Sequence, residues 1–208
     1  VLERGPVKDV LVKKTNASSL EIPQIIATGS LRRKAQWLSK FPNHNIVPLR
    51  GNIQTRLKKL KNEDWDGAIF AEAALVRLKT KNENVNILDW MIPAPGQGAL
   101  MIVCKSKDKA LLNVIKQFNH LETALCTQIE RDFLRTLEGG CTAPIGALAN
   151  VEGNNIQFQG GVFSLDGKRK FIIDETFEKS TELEGVKLAN QLLKKGAVEL
   201  LQEFKSSS

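Results

Sequence analysis

Between residues 25 and 78, short apolar runs and helical patterns alternate three times, and this constrains the fold more than any other feature of the chain. Segment 25–29, IIATG, is an apolar run closed by glycine, as a buried strand often is. Ser30 opens a helical pattern with Leu31, Ala35 and Leu38 at i, i+4 and i+7, and Pro42 closes that unit. IVPLR at 46–50 reads as the next strand. Asn52 reads as the N-cap of a helix with Ile53, Leu57 and Leu60 on one face. DGAIF at 66–70 is a third strand, followed by helical AEAALVRL. Strand then helix, three times over, predicts an α/β domain built on a parallel or mixed sheet.

The pattern changes after Pro93, Pro95, Gly96 and Gly98, a cluster of chain breakers that reads as a hinge. ALMIVC at 99–104 is strand-like and 107–118 is helical. A long helix, LETALCTQIERDFLRTL, ends at Gly139-Gly140, as a C-terminal cap does. Strand-like IGALANVE, IQFQGGVFS and KFIIDETFE follow, separated by turns at Gly153-Asn154-Asn155 and Asp166-Gly167. They predict a three-stranded antiparallel sheet in a C-terminal α+β domain. A helix over about 181–204 completes it, with the tail KSSS expected to be disordered. No internal repeat is seen.

With 208 residues, 42% hydrophobic and 25% charged, the chain can bury a core, and disorder is excluded. No apolar run approaches the roughly 20 residues that span a bilayer, and no signal-peptide pattern opens the chain. Its start at Val1, rather than Met, suggests a fragment or a processed chain. Cys104, Cys126 and Cys141 have neither metal spacing nor an even count, which favours a reducing cytoplasm. His44 and His120 are the only histidines, which argues against a His-based triad or a multi-His metal site.

The net charge of +7 points to an anionic partner. Lys58, Lys59 and Lys61 read as a solvated basic surface; the arginines do not. Of nine, Arg32, Arg33, Arg50, Arg56 and Arg77 lie in the α/β segment. Arg32 and Arg33 fall in the first turn of a helix, where a cation opposes the helix dipole at a cost of about 0.3–1 kcal/mol each. A bound anion would offset that. Arg50 ends a strand, and Arg56 is one helical turn into the next helix. Ligands of open α/β sheets bind at the carboxyl ends of the strands, and Thr28, Ser30, Arg32, Arg33, Arg50 and Arg56 fall at or near that edge. Arginine suits planar carboxylates that are gripped by two parallel hydrogen bonds. Nucleic acid is the competing anion. Against it stand the lack of a helix-turn-helix or zinc finger, the 6% aromatic content and the absence of tyrosine.

Cys141 follows a helix end and two glycines, in LEGGCTAPIG. Local sequence leaves two readings open: a reactive loop thiol or a small buried hydrophobe. For Cys104 and Cys126 the buried reading is preferred.

TGSLRRKAQ, LRGNIQTRLKKL, APGQGAL, LETAL and ERDFLRTLEGGCTAPIGA, in this order and spacing, resemble the porphobilinogen deaminase (hydroxymethylbilane synthase) family over nearly the whole chain. The resemblance implies a three-domain transferase of haem and tetrapyrrole biosynthesis, a cytoplasmic monomer that needs no metal, nucleic acid or membrane. It implies a dipyrromethane cofactor joined by a thioether to Cys141. On it four porphobilinogen units are deaminated and joined, and linear hydroxymethylbilane is released. Arg32, Arg33, Arg50, Arg56 and Arg77 match family residues that bind the carboxylates of cofactor or substrate, and Thr28 and Ser30 match hydroxyls beside them.

The resemblance also implies a domain division. Residues 5–94 form a second domain of periplasmic-binding type, 1–4 and 95–118 are remnants of a first domain, and 119–208 form the third. The family's catalytic aspartate, in an HSxKD-like motif, has no match here, so no catalytic residue is identified. Asp9, in VKDV, belongs to a different segment. Gly29 stands where a hydroxyl is usual, and Ala74 where glycine is. The alternatives are a non-catalytic anion-binding module, which explains the arginines but not LEGGC, and an inactive fragment of the enzyme.

Overall fold

The computed structural model describes residues 1–208 apart from 15–18, 80–83, 138–142, 180–182 and 207–208. Its first sheet contains β1 (Asp9–Lys13), β2 (Ile25–Thr28), β3 (Asn45–Pro48), β4 (Gly67–Ala71) and β5 (Val85–Ile87). The strand order is β3-β2-β4-β1-β5. The alternating sequence produces the parallel trio, with β2 between β3 and β4. β1 and β5, which the alternation does not reveal, extend it in the antiparallel sense. The result is the mixed sheet expected.

Side chains alternate across this sheet with the strand period of two. Val10, Val12, Ala68 and Phe70 pack on one face against Leu60 of α2 (Ile53–Asn62) and Leu75 of α3 (Glu72–Arg77). Leu11, Ile26 and Ile69 pack on the other against Trp37 of α1 (Leu31–Lys40). With both faces covered, β1 reads as an apolar run headed by one charge, Asp9, and that carboxylate is carried into the interior.

The second core lies under an antiparallel sheet of β6 (Ile145–Glu152), β7 (Asn155–Phe163) and β8 (Lys170–Glu178), as expected. It is closed by α5 (Leu121–Thr136), α6 (Glu184–Leu192) and α7 (Val198–Ser206), with Phe133, Ile156, Phe158 and Leu192 fully buried. The single final helix that the sequence predicts is in fact two. A kink within Leu193–Ala197 divides it, because Gly196 takes φ 108°, a left-handed conformation that breaks the helical hydrogen-bond run. α7 also runs on to Ser206, into the tail expected to be disordered.

The strand expected at 99–104 does not form. Leu2 and Gly5 donate backbone hydrogen bonds to Leu100 and Gly98, but no ladder develops. Leu100 and Val103 are 61% and 78% exposed. The neighbouring α4 (Lys109–Lys116) buries none of its residues. Among the described residues, no helix is long and apolar enough to cross a membrane.

Candidate anion-binding site

The carboxyl ends of β2 and β3 and the first turns of α1 and α2 form one edge. Thr28 Oγ1 accepts from Ser30 N–H at 3.3 Å, and Ser30 Oγ caps α1 by accepting from Arg33 N–H at 3.4 Å. Asn52 Oδ1 caps α2, accepting from Thr55 N–H at 2.9 Å. Gly29 sits where β2 presses on the end of β3. A Cβ there would stand 2.4 Å from the Leu49 carbonyl oxygen, so a serine would require that backbone to retreat.

Arg32 and Arg33 turn inward, with side chains 4% and 10% exposed, and converge on the fully buried Asp9. Arg32 Nη1 donates to Asp9 Oδ2 at 2.6 Å and to the Ile92 carbonyl at 2.7 Å. Arg33 reaches Asp9 Oδ1 through Nε at 3.0 Å and Nη2 at 2.8 Å, and Gln97 Nε2 donates to the same oxygen at 3.1 Å. Burial by itself would raise the Asp9 carboxyl. The charges of Arg32 and Arg33 and the hydrogen bonds from Arg32 and Gln97 outweigh it, and hold the group below its ordinary 3.8. Burial also lowers the Arg33 guanidinium; Asp9 opposes this, while Arg32 and Arg56 add to it. Guanidinium groups keep their charge in proteins. Two guanidiniums therefore share one carboxylate, and positive charge is left over.

Part of the anion that the two first-turn cations require is thus internal. Asp9 and Gln97 are the members of this cluster that the sequence did not single out. The signal available for Asp9 was a single charge heading an apolar strand, beside an arginine pair in need of a counter-ion.

Arg56 Nε donates to the Gly51 carbonyl at 2.6 Å, across a turn in which Gly51 takes φ 115°. Arg56 and Arg77 line one open groove of about 470 Å³ with Asn52, Gln54 and Leu78. Arg50, exposed past the end of β3, is not part of its lining. The fold therefore brings Arg32 and Arg56 within electrostatic reach of Arg33 and sets Arg77 beside Arg56, while Arg50, just past the end of β3, is exposed and adjoins the Gly51 turn.

A second buried carboxylate lies where the breaker cluster meets α5. Glu130, 0% exposed, accepts from Arg4 Nη1 at 2.6 Å and Nη2 at 2.9 Å, from Gly96 N–H at 2.6 Å and from Ala149 N–H at 2.8 Å. Burial pushes its carboxyl up; Arg4 and the two amides pull it back without cancelling the rise.

Cys141 and the Gly139-Gly140 helix end lie outside the described residues. Cys126 is buried, and burial, then Glu130, raise its thiol, which suits a packing role. Among the described residues, no group of His, Cys, Asp and Glu could hold a metal ion.

Residues 1–113 match the family model described as "Porphobilinogen deaminase, dipyromethane cofactor binding domain", and residues 124–194 the one described as "Porphobilinogen deaminase, C-terminal domain". Curated relatives named porphobilinogen deaminase are 40% identical in Staphylococcus aureus (strain bovine RF122 / ET3-1), 38% in Chlorobium phaeobacteroides and 41% in Campylobacter hominis. These alignments cover 94%, 99% and 97% of this chain and 65%, 68% and 68% of the respective relatives. The chain thus spans about two thirds of the length of the relatives it matches. On these matches, which take in both the arginine-bearing domain and the C-terminal one, the chain belongs to the porphobilinogen deaminase family.

Proposed function

We propose that this chain is the carboxylate-gripping and cofactor-anchoring part of a porphobilinogen deaminase. The enzyme condenses four porphobilinogen units into linear hydroxymethylbilane and releases ammonia, in a reducing cytoplasm. The observation that carries the reading is the excess positive charge at the strand edge, where Arg32 and Arg33 share the single buried carboxylate of Asp9 and Arg56 adds a further charge. Every pyrrole unit bears an acetate and a propionate, so the growing chain is a ladder of carboxylates that needs guanidinium partners.

A dipyrromethane fits this donor set. Its carboxylates would be held by Arg32, Arg33, Arg50, Arg56 and Arg77, with the Thr28 and Ser30 hydroxyls beside them, and Cys141 would supply the thioether sulfur. When bound, the cofactor provides the pyrrole end on which the chain is built. The residues of this chain bind and orient. Asp9 fixes the aim of Arg32 and Arg33, and Arg56 and Arg77 line an open groove. A thiolate is the right nucleophile for an electrophilic methylene-pyrrole. The acid that drives deamination is expected in the third of the family's length that this chain does not span. Residues 1–4 and 95–118 are read as the rest of that first domain, beside 5–94 and 119–208. The exposed apolar side chains of Leu100, Val103 and Phe118 support the reading, because such surface is normally covered.

The test is turnover. Full-length protein given porphobilinogen should release ammonia and form hydroxymethylbilane, and Arg56→Ala or Arg77→Ala should slow both. The 208-residue chain alone should show little or no turnover. Saturable porphobilinogen binding without ammonia release by the full-length protein would favour the non-catalytic anion-binding reading instead.

A further inference from the structure

Asp9 and Glu130 sit in separate ion-pair clusters, and Gln97 touches both. Its side-chain Nε2 donates to Asp9 Oδ1 at 3.1 Å and to the Val7 carbonyl at 2.7 Å, and its Oε1 accepts from Arg32 Nη2 at 3.4 Å. Its backbone carbonyl accepts from Arg4 Nε at 2.9 Å, and the two Nη atoms of Arg4 hold Glu130. Glu130 in turn takes the N–H of Ala149, in the middle of β6. An unbroken series of polar contacts therefore runs from Arg33 through Asp9, Gln97, Arg4 and Glu130 to the sheet of the C-terminal unit.

The segment that carries Gln97 is held in place. Gly96 and Gly98, on either side of it, take φ 74° and 81°. A Cβ on Gly98 would stand 2.7 Å from the carbonyl oxygens of Gly5 and Pro6, so the two crossing chains can come this close only with glycine there. The breaker cluster that reads as a hinge in sequence carries a polar clasp in the fold.

We propose that Gln97 is a positioning residue that couples the capture of a carboxylate at Arg32 and Arg33 to the placement of β6. The proposal rests on the reading of those arginines as carboxylate partners. A ligand carboxylate that reaches Arg32 competes with Asp9 and with Gln97 Oε1 for the same guanidinium. Such competition disturbs the Gln97 side-chain amide, which bonds both Arg32 and Asp9, and a change at Gln97 is passed through its carbonyl to Arg4. Linkage makes the effect reciprocal: a shift of Glu130 alters the affinity at the arginine pair.

Hydrogen exchange on full-length protein tests this, with porphobilinogen as the probe and the Gly96 and Ala149 amides, both bonded to Glu130, as the readout. Binding to the wild type should change exchange at these amides by at least about fivefold, the lower end of allosteric coupling. Gln97→Met, which keeps the volume but lacks the amide, should still bind the probe and lose that response. Saturable binding to the wild type with no change at either amide overturns the coupling, whether or not the variant folds. A full response in Gln97→Met overturns the role of Gln97. Failure of the wild type to bind porphobilinogen overturns the arginine-pair reading itself, and the binding curve distinguishes that result from the others.

Discussion

Asp9 and Glu130 are both fully buried carboxylates, yet their surroundings drive them in opposite directions. Asp9 meets two guanidiniums and is held below the ordinary carboxylate value, while Glu130 meets one guanidinium and two backbone amides and is pushed above it. The difference is one of charge balance. The Arg4–Glu130 pair is neutral and joins the N-terminal segment and the breaker cluster to α5 and β6, as an internal clasp. The Asp9 cluster carries net positive charge, and that excess is what an incoming carboxylate can use. On the proposed reading, similar burial and similar chemistry give a lock in one place and an anion site in the other.

The largest way to break this comparison is Asp9→Asn. It leaves two guanidiniums buried without a full counter-charge, and should cost about 3–5 kcal/mol in urea denaturation. Glu130→Gln keeps an acceptor for the amides but presents an NH₂ group to Arg4. A smaller loss is expected there, about 1–3 kcal/mol, the scale of an unmatched buried polar group.

The pH dependence of stability separates the two sites by sign. Asp9, whose folded pKa is depressed, contributes stability that is present above its unfolded value near 3.8 and is lost as pH falls through the folded value. Glu130, whose folded pKa is raised, contributes stability that is fully present below about 4.5 and declines as pH rises through the folded value. Denaturation midpoints measured from pH 3 to 7 should therefore lose part of their acid limb in Asp9→Asn, and lose part of the decline above pH 4.5 in Glu130→Gln. The same slope change in both variants would contradict the contrast. The smallest stability effect is expected at Arg77→Ala. That exposed side chain should alter the midpoint by no more than about 0.5 kcal/mol, while porphobilinogen affinity falls.

The strand–helix alternation, the antiparallel meander, the helix start at Ser30 and the cap at Asn52 were legible because each is a local pattern with a local cause. β1 was not, since it precedes the strand–helix alternation and takes its place by antiparallel pairing with β4 and β5, more than 50 residues along the chain. The run at 99–104 reads as a strand because its side chains are apolar, but a strand also needs a ladder partner. In the site, the arginines stood out by position along the chain. Asp9 and Gln97 did not, because their roles depend on partners 23 and 65 residues from Arg32 respectively, contacts that only the tertiary fold creates.

The central claim is that these arginines serve a pyrrole cofactor anchored on Cys141. Intact-mass analysis of the full-length protein, followed by peptide mapping, tests it most directly. The account predicts a mass increment equal to one dipyrrole on the peptide that contains Cys141, and its loss in Cys141→Ser. An unmodified Cys141 in protein that converts porphobilinogen at full rate would contradict it.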